Sequence, residues 1–301
     1  AQMCRGGSAQ LARALVDAIE EAGGDILLAT EPTQILVEGD RAVGVETRDG
    51  QRLKARYFVA SSLNPQQTFL DLLPPEVLPQ AWRDKAAAFR YNLLAPLFGL
   101  YLELEEAPMH RAAEAYPHLK QSFMVILGLD SPANFDVMLH HHKAGSMPPP
   151  VTWGSTPTLF DPSQAPPGQH TAFMWEKLPY ALGNNPARWD VVKEVRGRQL
   201  LSHWTEHAPN IPDVLIDSFV RSPLDVERTL PNMYRGDLLV GAFAGDQVGY
   251  HRPFPGAGHY RGHLAGLYLC GSSCHPGGNI TGLPGYNCAQ VLFSDLGLPG
   301  P

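Results

Sequence analysis

The chain contains 301 residues, of which 44% are hydrophobic and 18% are charged, so it can bury a sizeable core and does not have the composition of a disordered chain. Its formal net charge of −7 argues against nucleic acid as a partner, because phosphate binding requires clustered lysine and arginine. No apolar run approaches the roughly 20 residues of a membrane span, and the first residues lack the charged and apolar regions of a secretory signal. We therefore expect a cytoplasmic protein, with an organellar or membrane-peripheral location also open.

Four cysteines, at positions 4, 270, 274 and 288, are too few for a disulfide framework in a chain of this length. Cys270, Cys274, His275 and Cys288 are near enough in sequence to suggest a metal site. The C-x3-C spacing and the long gap to the next cysteine are not typical of zinc sites, however. We therefore expect no bound metal.

The first 63 residues have the pattern of one helix followed by several strands. Residues 5–23 open with Arg5-Gly6-Gly7-Ser8 and continue into a helix that ends at Gly23-Gly24. The apolar face of this helix comprises Leu11, Ala14, Leu15, Ala18, Ile19 and Ala22. Turns at 38–40 and 48–50, the second with an Asp-Gly pair, are typical of hairpins. The sequence predicts strands at 25–28, 33–37, 42–47, 51–55 and 57–60.

Between residues 64 and 260 the pattern changes. Helices are predicted at 64–89, 134–143 and 186–207, and strands at 93–104, 171–175, 214–220 and 238–241. The run 93–104 is long and apolar enough to be a central strand of a new sheet. His140, His141 and His142 are adjacent on a predicted helix and point in different directions, so they cannot all bind one metal ion. We expect them on a solvated helix face.

The most informative stretch is residues 264–296, LAGLYLCGSSCHPGGNITGLPGYNCAQVLFSDL. Its apolar run at 267–270 predicts a buried strand, a loop rich in glycine and proline follows, and a helical pattern begins near Pro284. A strand, a glycine-rich loop and a helix can direct backbone N–H groups and the positive end of a helix at an anion or a polar ring. The loop does not match the GxGxxG fingerprint, and many such loops bind nothing. The residues alone therefore leave ligand binding open.

This stretch resembles the C-terminal flavin-contacting segment of the phytoene-desaturase-like branch of FAD-dependent oxidoreductases, which is related more distantly to the amine oxidases. The shared run is Cys-Gly…His-Pro-Gly-Gly…Gly-x-x-Gly…Ala, matched here from Cys270 to Ala289. The Arg-Gly-Gly opening at 5–7, the Gly-Gly at 23–24, the Val-Gly-Val at 43–45 and the turn at 161–168 are also similar to the branch. The resemblance is therefore found at both ends of the chain.

The resemblance implies a mixed α/β fold: a partial FAD-binding domain with a β-meander, and a substrate domain built on a largely antiparallel sheet with helices. Residues 1–63 would form the middle part of the FAD-binding domain, 64–261 the substrate-binding domain, and 262–301 the closing flavin-contacting segment. The strand, GxGxxG turn and helix that open such enzymes are not found in this sequence, so the resemblance is to a C-terminal portion.

Three explanations stay open for that missing segment. The chain can be a fragment, one subunit of an enzyme whose nucleotide-binding half is a second polypeptide, or a non-catalytic binding or assembly protein derived from the substrate domain. Without the first strands of the sheet, the strands at 57–60 and 267–270 would have exposed edges. We therefore expect a second polypeptide, as in a hetero-oligomer, or self-association to cover them.

The resemblance also implies FAD as the cofactor and hydride transfer from a hydrophobic substrate to the flavin. It assigns cofactor contacts to Arg5, Gly6, Gly7, Pro32, Gly271, Ser272, Gly277, Gly278, Asn279, Ile280, Thr281 and Gly282. The family usually has a small aliphatic residue at the position of Pro32, where its backbone meets the adenine, whereas proline has no N–H to donate.

Side chains for the chemistry and the substrate are fewer and less specific. His275 is the nearest titratable side chain to the loop and the candidate proton relay, with a hydrogen bond to the loop as the alternative role. Candidate walls of an apolar substrate cleft are Phe98, Tyr101, Phe123, Trp153, Phe173 and Trp175, and ordinary core packing is the alternative for each.

Overall fold

The computed structural model describes residues 3–300 of the chain. The chain forms two compact units, each built from two separate stretches of sequence. One unit combines the residues up to Leu27 with Pro96–Val226, and we call it the sheet unit. The other combines Leu28–Ala95 with the residues from Glu227 onward, and we call it the meander unit.

Helices and short strands alternate irregularly along the chain. The helices are α1 (Ala9–Glu21), α2 (Gln80–Ala87), α3 (Ala112–Ala115), α4 (Ala133–Ala144), α5 (Trp189–His207), α6 (Ile211–Val214), α7 (Pro223–Thr229) and α8 (Leu283–Asp295). The strands are β1 (Pro32–Glu38), β2 (Arg41–Thr47), β3 (Arg52–Lys54), β4 (Val59–Ser61), β5 (Leu97–Leu104), β6 (Val125–Leu127), β7 (Thr152–Ser155), β8 (His170–Lys177), β9 (Leu215–Arg221) and β10 (Leu267–Leu269).

The sheet unit is built on a five-stranded antiparallel sheet in the order β6-β7-β8-β5-β9. Successive residues of a strand point to opposite faces, so Phe98, Leu100 and Leu102 of β5 share one face, and all three are buried. Residues of the same core include Ala172 and Met174 of β8 and Trp189, Leu200 and Trp204 of α5. The longest helix therefore covers one face of the sheet.

The meander unit contains two small sheets. Strands β1, β2 and β3 form the antiparallel meander that the turn residues predicted. Strand β4 pairs with β10 in parallel, with Val59 opposite Leu267 and Ser61 opposite Leu269. Both sheets and the closing helix contribute to one core, which includes Ile35, Phe69, Leu267, Leu269, Cys288 and Leu292.

The mixed α/β fold class is confirmed, with a meander in one unit and an antiparallel sheet in the other. Most predicted elements lie within a few residues of their expected places, among them α1, β1, β2, β5, α4, β8, α5, β9, β10 and α8. The predicted helix over 64–89 is broken into a π-helical turn at Gln67–Asp71, a 3-10 turn at Pro75–Val77 and α2. The prolines at 74, 75 and 79 explain the breaks, because proline cannot continue a helix from the preceding turn.

Two predicted strands are wrong. Residues 25–28 form no strand, and the side chains of Leu27 and Leu28 are exposed. Residues 238–241 form a loop because side chains bind its backbone: Asp237 accepts from two of its N–H groups, and Arg252 donates to two of its carbonyls. These hydrogen bonds occupy backbone groups that would otherwise pair with a neighbouring strand.

The three histidines of α4 are only partly on a solvated face. His140 is exposed and His141 is partly exposed, but His142 is buried, and its Nδ1 lies 2.8 Å from the carbonyl oxygen of Met138. Helical geometry explains the difference, since adjacent residues point about 100° apart.

The compact units group the residues differently from the predicted ranges 1–63, 64–261 and 262–301. Residues up to Leu27 belong to the sheet unit, where the N–H of Gly6 donates to Asp161. Residues 64–95 and 227–261 belong to the meander unit, where Asn92 bonds to Asp237. Within the meander unit β4 pairs with β10, and the assignment of the three ranges to domains stays a prediction.

Among residues 3–300, no helix has both the length and the apolar character that crossing a membrane requires. The same part of the chain contains no group of three histidine, cysteine or acidic side chains placed to hold a metal ion. All four cysteines are free thiols. Burial raises the pKa of Cys274 and of Cys288 to about 12, so both thiols are protonated and unreactive at neutral pH.

Candidate functional site

The loop between β10 and α8, residues 270–282, has an unusual backbone. Gly277, Asn279, Ile280 and Gly282 all have positive φ, at 108°, 78°, 58° and 68°. A β-branched residue rarely adopts this conformation, and Ile280 is 82% exposed, so no buried packing of its side chain compensates for the strain. Strained backbone of this kind is typical of functional loops.

The same loop presents N–H groups that bind nothing within the described chain. From Gly277 to Gly282 no backbone N–H donates to an acceptor in residues 3–300, whereas Leu283 donates to the Thr281 hydroxyl at 3.3 Å. Helix α8 starts at Leu283, directly after this segment, as the sequence predicted. Successive free N–H groups at a helix N-terminus form a concave surface that favours negative charge or carbonyl oxygen.

Four predicted contact glycines have different surroundings. A Cβ at Gly271 would lie 2.0 Å from the carbonyl oxygen of Ser62, and one at Gly277 would lie 2.4 Å from the ring of Phe243, so the protein itself requires both glycines. At Gly278 the nearest atom to a Cβ, the carbonyl oxygen of Leu239, is 3.4 Å away, and at Gly282 nothing lies within 4 Å. Of these four positions, Gly282 alone faces open space, and a Cβ at Gly278 would be in ordinary van der Waals contact with the backbone of Leu239.

The buried guanidinium of Arg252 anchors the loop, a role that the sequence did not reveal. It donates to the carbonyl of Ser272 at 3.0 Å and stacks on Phe243 at 4.2 Å. It also donates to the carbonyls of Val240, Gly241, Ala242 and Gln247. Its Nε is buried without a partner in residues 3–300. Burial lowers the pKa of Arg252, although the side chain stays charged at neutral pH.

The candidate proton relay, His275, lies on this loop with an exposed side chain. Its carbonyl oxygen accepts a 2.8 Å hydrogen bond from the Tyr260 hydroxyl, which in turn accepts one from Asn287. No hydrogen bond of the imidazole is found within residues 3–300. The backbone of His275 is therefore fixed while its side chain is available to solvent or to a ligand.

The remaining predicted contacts are not part of the loop. Arg5, Gly6 and Gly7 belong to the sheet unit, where the N–H of Gly6 donates to the Asp161 carboxylate at 2.6 Å. Pro32 begins β1 opposite Thr47 and belongs to the meander unit. The structure thus brings residues 271–282 together in one loop.

One face of the sheet in the sheet unit is covered with aromatic side chains, and we call it the aromatic face. Tyr101 stacks on Phe219, with ring centroids 4.7 Å apart, and its hydroxyl accepts a hydrogen bond from the Trp175 indole. Trp175 packs against Phe173 at 4.3 Å and against Trp153 at 6.3 Å. These side chains are largely half-buried, so they present ring surface to a neighbour.

Two details of the aromatic face correct or extend the sequence analysis. Phe98 lies on the opposite, buried face and stacks on Trp189, and Phe123 lies outside the sheet against Phe160, so neither belongs to it. Gly99 lets the Tyr101 ring lie along the strand, since a Cβ there would be 2.7 Å from that ring. The sequence-based list of aromatic wall residues did not include Phe219. The alternation of side chains along β9 could have identified it as a member of the aromatic face.

No family model matches the chain. It is 31% identical over 314 residues to a subunit of the limonene dehydrogenase of Castellaniella defragrans, a match that covers 99% of this chain and 56% of the relative. It is 29% identical to the lycopene-forming phytoene desaturase of a Paracoccus species, covering 97% and 55% of the two chains. The chain is a relative of the phytoene-desaturase-like oxidoreductases. The resemblance drawn from the sequence is therefore confirmed.

A third relative is the pyridine nucleotide-disulfide oxidoreductase domain-containing protein 2 of Mus musculus, which is 28% identical and covers 97% of this chain and 51% of the relative. An oxidoreductase structure from Methanosarcina mazei has the same fold, with a TM-score of 0.54 at 16% identity over 97% of this chain and 55% of that one. Reduced UDP-galactopyranose mutase gives a TM-score of 0.51 at 11% identity, over 99% and 52% of the chains. The chain spans about half the length of the relatives that it matches.

Proposed function

We propose that this chain is the flavin-contacting and substrate-side part of an FAD-dependent oxidoreductase of the dehydrogenase or desaturase type. The observation that carries the proposal is the row of unpartnered N–H groups from Gly277 to Gly282 at the start of α8. It occurs in a chain related to proteins named as a dehydrogenase, a desaturase and an oxidoreductase.

The donor set suits the polar edge of a flavin ring. The N–H groups of Ile280, Thr281 and Gly282 would hold the ring's carbonyl and nitrogen edge, and the dipole of α8 would stabilise negative charge there. Gly278 and Gly282 carry no side chain, and nothing lies within 4 Å of the Cβ position of Gly282, so the backbone there is free to approach a flat group closely. When bound, FAD would supply the hydride acceptor.

The chain's own residues would orient the reactants and exclude water. We propose that the aromatic face holds a hydrophobic substrate, since Tyr101, Trp153 and Trp175 offer broad ring surface and few polar groups. The names limonene dehydrogenase and phytoene desaturase support a hydrophobic substrate. The imidazole of His275 is the candidate for moving a proton between the site and solvent.

We also propose that further polypeptide covers two surfaces of this chain, whether a second chain, another segment of the same protein or a second copy. Within the described residues β4 and β10 form a sheet of two strands, so each has an unpaired edge, and Ala60 of β4 and the preceding Phe58 are exposed. Helix α1 buries none of its residues, and Leu11, Leu15 and Ile19 of its apolar face are exposed. An open strand edge and an apolar helix stripe are typical of surfaces that bind another protein segment. The limonene dehydrogenase relative is itself named as one subunit of its enzyme.

A flavin titration tests the proposal. We expect the purified chain, alone or with the polypeptide that covers β4, to retain FAD through desalting and to show flavin absorbance. A chain that stays colourless with added FAD, with and without such a partner, would contradict the proposal. That result would favour the alternative of a non-catalytic binding or assembly protein. Mass measurement of the protein purified from its source would show whether a second chain accompanies it.

A further inference from the structure

The sheet unit contains a cavity of about 600 Å³. Its apolar lining includes Ala107, Met109, Val125 and Leu159, and His110 supplies a polar group. Sites that bind small molecules have volumes of about 300–1,000 Å³, with mainly apolar walls and a few placed polar groups. The cavity therefore has the size and character of a ligand site.

This cavity does not belong to the aromatic face. Ile126 of β6 lies opposite Trp153 in the sheet, so these two residues share the aromatic face. Val125, the preceding residue, points to the other face, because successive side chains of a strand alternate. That other face carries the core formed with α5, and Trp204 of α5 bonds to His110.

His110 is held in one orientation with one nitrogen unused. The indole Nε1 of Trp204, which is almost fully buried, donates to His110 Nε2 at 3.2 Å. Burial, and to a smaller extent the nearby His207, lowers the pKa of His110, so the ring is neutral at neutral pH. In a neutral ring whose Nε2 accepts, Nδ1 carries the proton. Nδ1 donates to no acceptor in residues 3–300, so it is available to a ligand.

Three other polar side chains of the lining either hold the wall or reach solvent, and Ser122 and Thr156 add hydroxyl groups. Asn210 accepts from the N–H of Met109 and donates to the carbonyl of Ala107, so its amide holds the wall. Glu114 and Lys120 line the cavity with opposite charges, and both are exposed to solvent. Neither gives the cavity a net preference for an ion.

We propose that this cavity binds an uncharged, largely apolar small molecule whose carbonyl or ether oxygen accepts a hydrogen bond from His110 Nδ1. The site lies on the opposite face of the sheet from the proposed substrate surface. It is therefore a second binding site, and it does not depend on the flavin.

Benzophenone and diphenylmethane are suitable probes, because they differ only in a carbonyl group in place of a methylene. We expect saturable binding of both, with benzophenone about fivefold tighter owing to one hydrogen bond. Irradiation of bound benzophenone attaches it to nearby C–H groups, and peptide mass spectrometry then locates it. We expect attachment to Met109 or to the segments 107–125 and 156–159.

Variants separate the hydrogen bond from the cavity itself. His110→Phe should remove the preference for benzophenone, whereas His110→Gln, which keeps an acceptor for Trp204 and a donor, should retain it. Leu159→Trp should fill the cavity and block both probes, and Leu129→Trp, outside the lining, should change neither. Equal binding of the two probes, no saturable binding, or attachment mainly to Trp153 or Trp175 would overturn the proposal.

Discussion

Glu176 on β8 and Arg196 on α5 form a buried two-pronged ion pair, with Nε–Oε1 and Nη2–Oε2 distances of 2.7 Å each. The Glu176 side chain is 1% exposed and that of Arg196 is 7% exposed. Nη2 of Arg196 also donates to the carbonyl oxygen of Pro148. The pair ties the longest helix to the sheet in a fixed register, because both carboxylate oxygens are engaged.

Breaking this pair on one side should destabilise the sheet unit strongly. Arg196→Met leaves a buried carboxylate without a partner, so we expect a loss of about 3–5 kcal/mol in the free energy of unfolding. Urea unfolding followed by tryptophan fluorescence measures it. The double variant Glu176→Leu with Arg196→Met should recover most of that loss, since no buried charge is left. Arg48→Met removes the exposed pair with Glu31 and should leave the free energy of unfolding nearly unchanged, because solvent screens that pair.

Arg252 offers a second test, in the meander unit. Arg252→Met would leave carbonyls of the 240–247 loop and of Ser272 without their donor, so we expect a loss of about 2–4 kcal/mol in unfolding free energy. The hydrogen-bonded amides of the loop, those of Cys270 and Cys274, should also exchange their hydrogens faster. Arg90→Met breaks an exposed pair with Asp246 and is the matched control. Equal stability of the two variants would contradict the anchoring role.

The regular elements were predictable because their signal is local. The alternation of β5 and β8 and the turn residues of the meander appear directly in the sequence. The failed strand at 238–241 shows the limit of that signal. Its backbone is bound by Asp237 and Arg252, and the arginine lies 12 residues from Val240. No periodicity within the segment itself can reveal such bonds.

The candidate site was predictable to a similar extent. Glycine and proline marked the loop and the start of α8, and the structure places both there. The reasons for individual glycines were not visible, because Gly271 packs against Ser62, a residue distant in sequence. The aromatic face was only partly predicted, since Phe98 and Tyr101 lie on one strand and differ only in the face to which they point.

The bond between Gly6 and Asp161 should depend on acid pH. Hydrogen bonds from the Ser163 hydroxyl and, to a smaller extent, from the Gly6 N–H lower the pKa of Asp161 from its usual 3.8 to about 2. Since the folded pKa is lowered, the contribution to stability is complete above pH 4 and is lost as the pH falls toward 2. Hydrogen exchange of the Gly6 amide should accelerate over that range relative to the intrinsic rate. Asp161→Asn should exchange faster already at neutral pH, and a pH-independent protection would count against this role.

The proposed relay predicts that His275 affects turnover and not binding. His275→Ala should bind FAD as the parent does, because the side chain makes no contact that shapes the loop. With a substrate that reduces the bound FAD, turnover should fall by about two orders of magnitude. His251→Ala replaces another exposed histidine of the same unit and should change neither quantity. A normal rate in His275→Ala would assign the proton transfer to another group.

The last prediction concerns Gly278, where a Cβ would make only ordinary van der Waals contact and where φ is not positive. Gly278→Val should fold normally, because its Cβ would lie 3.4 Å from the nearest atom, the carbonyl oxygen of Leu239. The added side chain would nevertheless occupy the space through which a flat ring approaches the N–H groups, so we expect FAD affinity to fall at least a hundredfold. Gly300→Val is the matched control, since that glycine also lacks a positive φ and lies outside the loop. If Gly278→Val kept the thermal stability and the FAD affinity of the parent, the loop could not be the flavin site, even if the protein as a whole bound FAD.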